Sequence, residues 1–205
     1  MTYEIYAFGS VTRGDVLPTS DVDILVLDDT PACSNFPRDW SVYSKVTVSN
    51  YYEAGRLFAW HLHLEAVLLH PAGTSGFLST LGAPSRYATA TDDIADLRLL
   101  LSSSIDEIRR GSPNQIYELG LIYTALRDVA MSASWQVLGR PSFSRYAPYE
   151  VTPPCPLPRP AYEIAMKSRH ASTRGTPQPA GCHDAARAVL VSPLLQWLDL
   201  IGGAV

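Results

Sequence analysis

The sequence has little cysteine and little charge of either sign. Only three of its 205 residues are cysteine, at positions 33, 155 and 182, and they are widely spaced. This pattern gives neither a disulfide framework nor a structural zinc site, and it favours a reducing compartment. Charged residues make up 18% of the chain and the net charge is −4. The basic excess that accompanies a large DNA or RNA footprint is therefore lacking.

Long hydrophobic runs are lacking as well. No segment approaches the ~18 apolar residues of a membrane span. The N-terminal residues MTYEIYAF lack the basic and apolar regions of a secretory signal. Hydrophobic residues nevertheless make up 46% of the chain, which is a globular composition. We therefore expect a folded, cytoplasmic protein with no membrane partner and no large DNA footprint; a homo-oligomer is compatible with this composition.

The first 90 residues show the patterns of strands. Apolar runs at 2–8 and 22–27 predict two strands, and the second run is typical of a strand that is covered on both faces. A β-branched and aromatic run at 40–49 predicts a third. Residues 53–70 change to a helical period, although their end, AVLLHP, also fits a short strand.

From residue 91 onward the pattern is helical. Thr91 is the expected N-cap of one long helix, and Ser112 and Gly139 are the expected ends of a second. The proline-dense residues 152–160 predict a rigid connector, and the last helix should be interrupted at Pro193. The expected fold class is α/β (α+β), with a domain at 1–90 that carries a small mixed sheet and a helical C-terminal region at 91–205.

The segment AFGSVTRGDVLPTSDVDILVL carries the chemistry. Because alternate strand residues point to one face, Asp21 and Asp23 should project side by side. Adjacent carboxylates repel each other, and a divalent cation removes that conflict. Gly9 lets backbone N–H groups approach phosphate, Ser10 adds a hydroxyl donor, and Arg13 can hold phosphate charge. These features predict transfer of a phosphorus group from a nucleoside triphosphate; the alternative is a structural turn with a charged loop end.

The same segment resembles the signature of the DNA polymerase β-like nucleotidyltransferase superfamily, particularly its minimal bacterial members. That signature is an apolar residue, Gly-Ser, a spacer (here residues 11–20) and Asp-x-Asp between apolar positions. The resemblance implies a small mixed sheet followed by an appended helical region. It also implies that Gly9 and Ser10 hold the triphosphate and that Asp21 and Asp23 bind Mg²⁺ or Mn²⁺. An acceptor hydroxyl would then attack the α-phosphate.

One departure from the family pattern concerns its third acid, which lies on a later strand. The matching strand is predicted at Lys45–Ser49, where Thr47 takes the central position and no acid is present. Three readings stay open. Glu53 or Glu65 supplies the carboxylate, with Glu65 named as the catalytic candidate; two protein carboxylates suffice; or catalysis has been lost and nucleotide binding kept.

The sequence therefore favours an enzyme that moves a nucleoside monophosphate, AMP from ATP, to a hydroxyl of a protein, a small molecule or an RNA end. The alternative is a pseudoenzyme that binds a nucleotide or a partner. A toxin–antitoxin setting would fit the resemblance.

Overall fold

The structure is a computed structural model, and it describes residues 3–16, 22–29, 36–71 and 75–204. The chain divides into two units, residues 1–88 and 89–205. Each unit has its own hydrophobic core and is described separately.

The first unit contains a mixed four-stranded sheet. Its strands are β1 (Glu4–Phe8), β2 (Asp23–Leu27), β3 (Ser41–Tyr43) and β4 (Val67–His70), in the spatial order β3-β2-β1-β4. β1 is antiparallel to β2 and to β4, whereas β2 and β3 are parallel. The predicted fold class, a small mixed sheet followed by helices, is confirmed.

Both central strands are covered on two faces, as the apolar run at 22–27 predicted. On one face the alternating side chains of β1 and β2 pack on helices α1 (Lys45–Glu53) and α2 (Leu57–Glu65). On the other face Ala7, Ile24 and Val26 form a smaller cluster against Phe36 and Trp40. The short helix α3 (Phe77–Thr80) adds to the larger cluster.

The predicted third strand is wrong beyond residue 43. The chain enters α1 at Lys45 because Ser44 caps this helix, and the Ser44 hydroxyl accepts the Thr47 N–H at 3.1 Å. A local cap of this kind outweighs the β propensity of Val46, Thr47 and Val48. Thr47 therefore does not occupy a strand position beside β2.

The ambiguous run at 53–70 contains both of the elements that it suggested. α2 ends at Glu65, and β4 follows directly and pairs with β1, with Ala7 opposite Val67. This junction between α2 and β4 brings Glu65 to the end of β1, where the predicted site lies.

A half-buried carboxylate, that of Glu4, joins the sheet to its helices. Glu4 accepts hydrogen bonds from the Tyr6 hydroxyl and, at 2.7 Å, from the Phe77 N–H, and its other oxygen lies 3.1 Å from Lys45 Nζ. Burial alone would raise the pKa of Glu4, but these donors bring it below its ordinary value.

The second unit is helical. Its elements are α4 (Ala90–Arg109), α5 (Gln115–Leu138), α6 (Ala147–Glu150), α7 (Arg159–Arg174), α8 (Cys182–Val191) and α9 (Leu194–Gly202). α5 contacts every other helix of the unit. Gly120 allows α5 to approach α7 closely, since a Cβ added there would lie 3.0 Å from the Arg169 Cα.

Several predicted helix ends move by a few residues. The N-cap positions are Thr89 and Asn114, so the predictions of Thr91 and Ser112 are wrong. In the second case the Ser112 hydroxyl accepts the Asn114 N–H instead of capping the helix itself. Gly139, in the left-handed conformation at φ +68, ends α5 as predicted, and the break at Pro193 separates α8 from α9.

The proline-dense segment is shorter than predicted and is not a free connector. α7 begins at Arg159, because Pro160 fits the first turn of a helix. Within the segment Cys155 and Leu157 are buried, and Trp197 Nε1 donates to the Pro153 carbonyl at 2.8 Å. These contacts hold the segment against the helices of its own unit.

Among the described residues, no single helix is long and apolar enough to cross a membrane. Only α8 and α9 together reach the length and hydrophobicity of a membrane span, and these two helices are bent by 59° relative to each other.

Candidate active site at the Gly9 turn

The site is built around the turn that follows β1. Gly9 has a φ of +79, which L side chains rarely adopt, and a Cβ added there would lie 2.3 Å from Asp23 Oδ2. Asp23 is the first residue of β2 and pairs with Phe8. Glycine is therefore required both by the backbone conformation and by the close approach of the carboxylate.

Residues 9–15 form a compact, helix-like turn. The Gly9 carbonyl accepts hydrogen bonds from the Arg13 N–H at 3.3 Å and from the Thr12 hydroxyl at 2.9 Å. The Ser10 carbonyl accepts one from the Asp15 N–H at 2.9 Å. The N–H groups of Ser10 and Val11 donate to no acceptor among the described residues. Successive amide donors at the start of such a turn form a site for an anion.

Glu65 reaches the same turn from the other side of β1. Its Oε2 lies 2.5 Å from Arg13 Nη1 and 2.9 Å from His61 Nε2. Because a carboxylate can only accept, both nitrogens donate to this one oxygen. Oε1 has no hydrogen-bond partner within the described part of the chain. The Glu65 carboxylate is therefore oriented by two donors through one oxygen while the other stays available.

The sheet register explains why the two carboxylates meet the turn. β2 pairs with one edge of β1 and β4 with the other. Asp23 lies opposite Phe8, and Glu65 comes two residues before Val67, which lies opposite Ala7. Both acids are thus brought to the end of β1, on either side of Gly9.

The other predicted site residues have different outcomes. Asp21 lies outside the described residues. Glu53 is exposed at the end of α1, and no contact with a described residue joins it to the turn. Arg13, predicted on a phosphate, contacts Glu65. Among the acids named for the third carboxylate, only Glu65 lies beside the Gly9 turn in the described structure.

His61 is a site residue that the sequence reasoning missed. His61 and His63 lie two residues apart, so on a helix they point in different directions and do not suggest a joint metal site. The two histidines do diverge on α2: His61 contacts Glu65 and packs edge-on against Phe8 at 5.3 Å, whereas His63 packs against Tyr52 and Trp60. The signal for His61 was its spacing of four from Glu65, which places both on one helix face.

The chemistry of the donors fits a hard divalent cation. Asp23 offers a carboxylate at the edge of an amide-lined turn, and Mg²⁺ prefers one or two carboxylates together with phosphate oxygens and water. Within the described residues, no three His, Cys, Asp or Glu side chains form a group that could hold a metal ion by themselves.

Comparison with known proteins finds a family similarity in this part of the chain. No curated protein matches the sequence. One family model, described as a nucleotidyltransferase domain, matches residues 2–62. The match spans the Gly9 turn, β1, β2, α1 and His61, and it ends before Glu65. Residues 2–62 are thus similar to nucleotidyltransferase domains, and this similarity supports a transferase activity.

Proposed function

We propose that this protein transfers a nucleoside monophosphate, AMP from ATP in the presence of Mg²⁺, to a hydroxyl group of an acceptor. One observation carries the proposal: Asp23 and an oriented Glu65 flank an anion-binding turn at Gly9. The turn suits the triphosphate, and the two carboxylates lie on its two sides. This arrangement supplies the parts that in-line phosphoryl chemistry requires.

The turn would hold the phosphates. The Ser10 and Val11 amides and the Ser10 hydroxyl donate to phosphate oxygens. Asp23 and Asp21 would hold Mg²⁺, which neutralises charge on the triphosphate and on the leaving pyrophosphate. These residues fix the α-phosphate in place before the transfer step.

Glu65 would act on the acceptor. Its Oε1 accepts the hydrogen bond of the acceptor hydroxyl, while Arg13 and His61 keep the carboxylate oriented through Oε2. As the new O–P bond forms, the hydroxyl proton passes to Glu65, the bond between the α- and β-phosphates breaks, and pyrophosphate leaves. Glu65 thus supplies the carboxylate that the family pattern places on a later strand.

The test is an assay with ATP labelled at the α-phosphate. The full chain is incubated with Mg²⁺ and with three acceptor classes: the protein itself and other proteins, an aminoglycoside, and RNA with a free 3′ hydroxyl. We expect label on one acceptor class together with release of pyrophosphate, and loss of both in Asp23→Asn. Asp39→Asn is the matched control, because Asp39 is an exposed aspartate of the same unit with no described contact to the turn.

A second variant separates binding from chemistry. Glu65→Gln should keep nucleotide affinity, measured by calorimetry, and lower the turnover rate by about 10²-fold or more, the size of effect expected for a general base. Glu53→Gln, an exposed glutamate on α1, is the control. An unchanged turnover rate in Glu65→Gln would refute the role of Glu65.

A second candidate function is nucleotide binding without turnover. It is favoured by the composition of the strands that flank β1 and β2, since β3 (SVY) and β4 (VLLH) contain no carboxylate. It predicts ATP binding that depends on Asp23 with no label transfer to any acceptor class. The same experiment therefore distinguishes the two functions.

A further inference from the structure

Arg13 uses only a small part of its guanidinium in the contact with Glu65. A guanidinium carries five N–H donors in a planar fork. In the part of the chain that the structure describes, the Arg13 side chain donates one hydrogen bond, from Nη1 to Glu65 Oε2. Nε and Nη2 donate to no described acceptor, and neither atom is buried from solvent. The side chain therefore has further nitrogen donors that a ligand can reach.

The backbone of Arg13 is part of the turn that would receive the phosphates. Its N–H donates to the Gly9 carbonyl at 3.3 Å, which places Arg13 one helical turn after Gly9. In a helix-like turn a side chain leans toward the N-terminal end of the turn. The Ser10 and Val11 amides lie at that end. The Arg13 guanidinium is thus directed to the end of the turn at which an anion would bind.

Arg13 would stand between two anions when a triphosphate is bound. The triphosphate and the Glu65 carboxylate repel each other unless a cation separates them. A guanidinium suits this position, because its rigid fork presents separate N–H groups to two oxyanions at once. Once one oxyanion holds the fork, less conformational entropy is lost when the second one binds. The two contacts therefore strengthen each other.

We propose that Arg13 bridges Glu65 and the triphosphate, so that a bound nucleotide fixes the carboxylate that receives the acceptor hydroxyl. The inference rests on the proposed function and adds a coupling between its two substrate sites. Arg13 is a positioning residue in this scheme, since it acts on the acceptor only through Glu65. The coupling is reciprocal, and it favours an order in which the nucleotide binds before the acceptor.

The experiment measures whether nucleotide binding stabilises the segment around Glu65. The full chain is saturated with Mg²⁺ and α,β-methylene-ATP, in which a methylene group replaces the oxygen between the α- and β-phosphates, so that no transfer occurs. Mass spectrometry then follows hydrogen exchange of the peptide 57–70, which contains α2, Glu65 and β4. We expect exchange to slow by about fivefold or more, the lower end of coupling between two sites. Inorganic triphosphate with Mg²⁺ should give the same protection, because the bridge uses phosphate oxygens only.

Two variants of Arg13 separate the bridge from nucleotide binding. In Arg13→Gln the nucleotide should bind about tenfold more weakly, the effect of losing one hydrogen bond to a charged group, and 57–70 should show no protection at saturation. Arg13→Lys keeps the charge without the planar fork, so it should recover much of the affinity but not the protection. Arg38→Gln is the matched control, because Arg38 is an exposed arginine of the same unit with no described contact to the turn. Calorimetry gives the affinities, and a thermal unfolding curve verifies that each variant is folded.

The outcomes distinguish this inference from the proposed function. If the nucleotide binds to the wild type without protecting 57–70, or if full protection remains in Arg13→Gln or Arg13→Lys, the bridge is refuted while the nucleotide site stands. Protection by the nucleotide but not by inorganic triphosphate would also overturn the bridge, since the coupling would then pass through the nucleoside. A wild type that binds no nucleotide refutes the proposed function, and the bridge with it.

Discussion

The ion pair between Arg13 and Glu65 allows a quantitative prediction. It joins the turn after β1 to the end of α2, and Arg13 Nη1 lies 2.5 Å from Glu65 Oε2. The Glu65 side chain is 10% exposed and that of Arg13 is 23% exposed. An exposed pair contributes about 0.2–1 kcal/mol, whereas a hydrogen bond to a charged group contributes about 1.5–3 kcal/mol. Since this pair is partly buried, we expect a coupling free energy of about 1–2 kcal/mol.

A double-mutant cycle measures this coupling. The variants are Arg13→Gln, Glu65→Gln and the double variant, and each keeps the volume and polarity of its side chain roughly constant. The readout is native-state hydrogen exchange of peptides from 3–16 and 57–70, because tryptophans in both units would mix their signals in a fluorescence measurement. The free energy of opening of these peptides gives the coupling by difference.

A control cycle uses Arg38 and Glu53, an exposed pair in the same unit with no described contact between them. It should give no coupling beyond the error of about 0.3–0.5 kcal/mol for independent sites. If the Arg13–Glu65 cycle also falls within that error, then Glu65 is not held by Arg13. In that case the ion pair does not orient the Glu65 carboxylate toward an acceptor.

Three further predictions follow from individual residues. Gly9→Ala should destabilise the first unit by more than Gly14→Ala, because Gly14 has a similar φ of +74 but no described atom lies within 4 Å of a Cβ added there. Only the strain of about 1–2 kcal/mol that both positions share should remain in Gly14→Ala, and equal losses of stability by chemical denaturation would contradict this. The pKa of Glu4 is lowered in the folded state from 4.5, so its contribution to stability is complete above that value and is lost as the pH falls through the folded-state pKa. In Glu4→Gln the free energy of unfolding should therefore fall less steeply with decreasing pH than in the wild type. An unchanged dependence of this free energy on pH would contradict the prediction. Burial raises the pKa of Cys155 to about 12, so mass spectrometry of the native protein after iodoacetamide treatment should find Cys155 modified much more slowly than the partly exposed Cys182.

The elements with a simple period were predictable from the sequence. β1 and β2 are short apolar runs bounded by turn signals, and α5 ends where Gly139 was expected. The prediction failed at 45–49, where β-branched residues lie in a helix. There one capping interaction at Ser44 decided the outcome, and a propensity count does not register it.

The candidate site was also predictable only in part, namely at Gly9 and Asp23. Gly9 follows β1 and Asp23 begins β2, and these strands are consecutive in the chain, so the proximity of the two residues follows from an antiparallel pair. Glu65 was one of two glutamates that the sequence offered for the third acid, but the strand expected around Thr47 gave no means of placing it beside the turn. The acid beside the turn is Glu65, at the junction of a helix with a strand that the sequence left ambiguous.

The sequence by itself determined the Gly-Ser turn, the Asp-x-Asp pair and the apolar strands that hold them, because these are local patterns of residue type and spacing. Only the tertiary structure decided the partner of that turn. Arg13 and Glu65 are 52 residues apart in the chain and meet because β4 pairs with the free edge of β1. Strand pairing over such a distance depends on the packing of α1 and α2 on the sheet, and the residue types near Gly9 do not predict this packing.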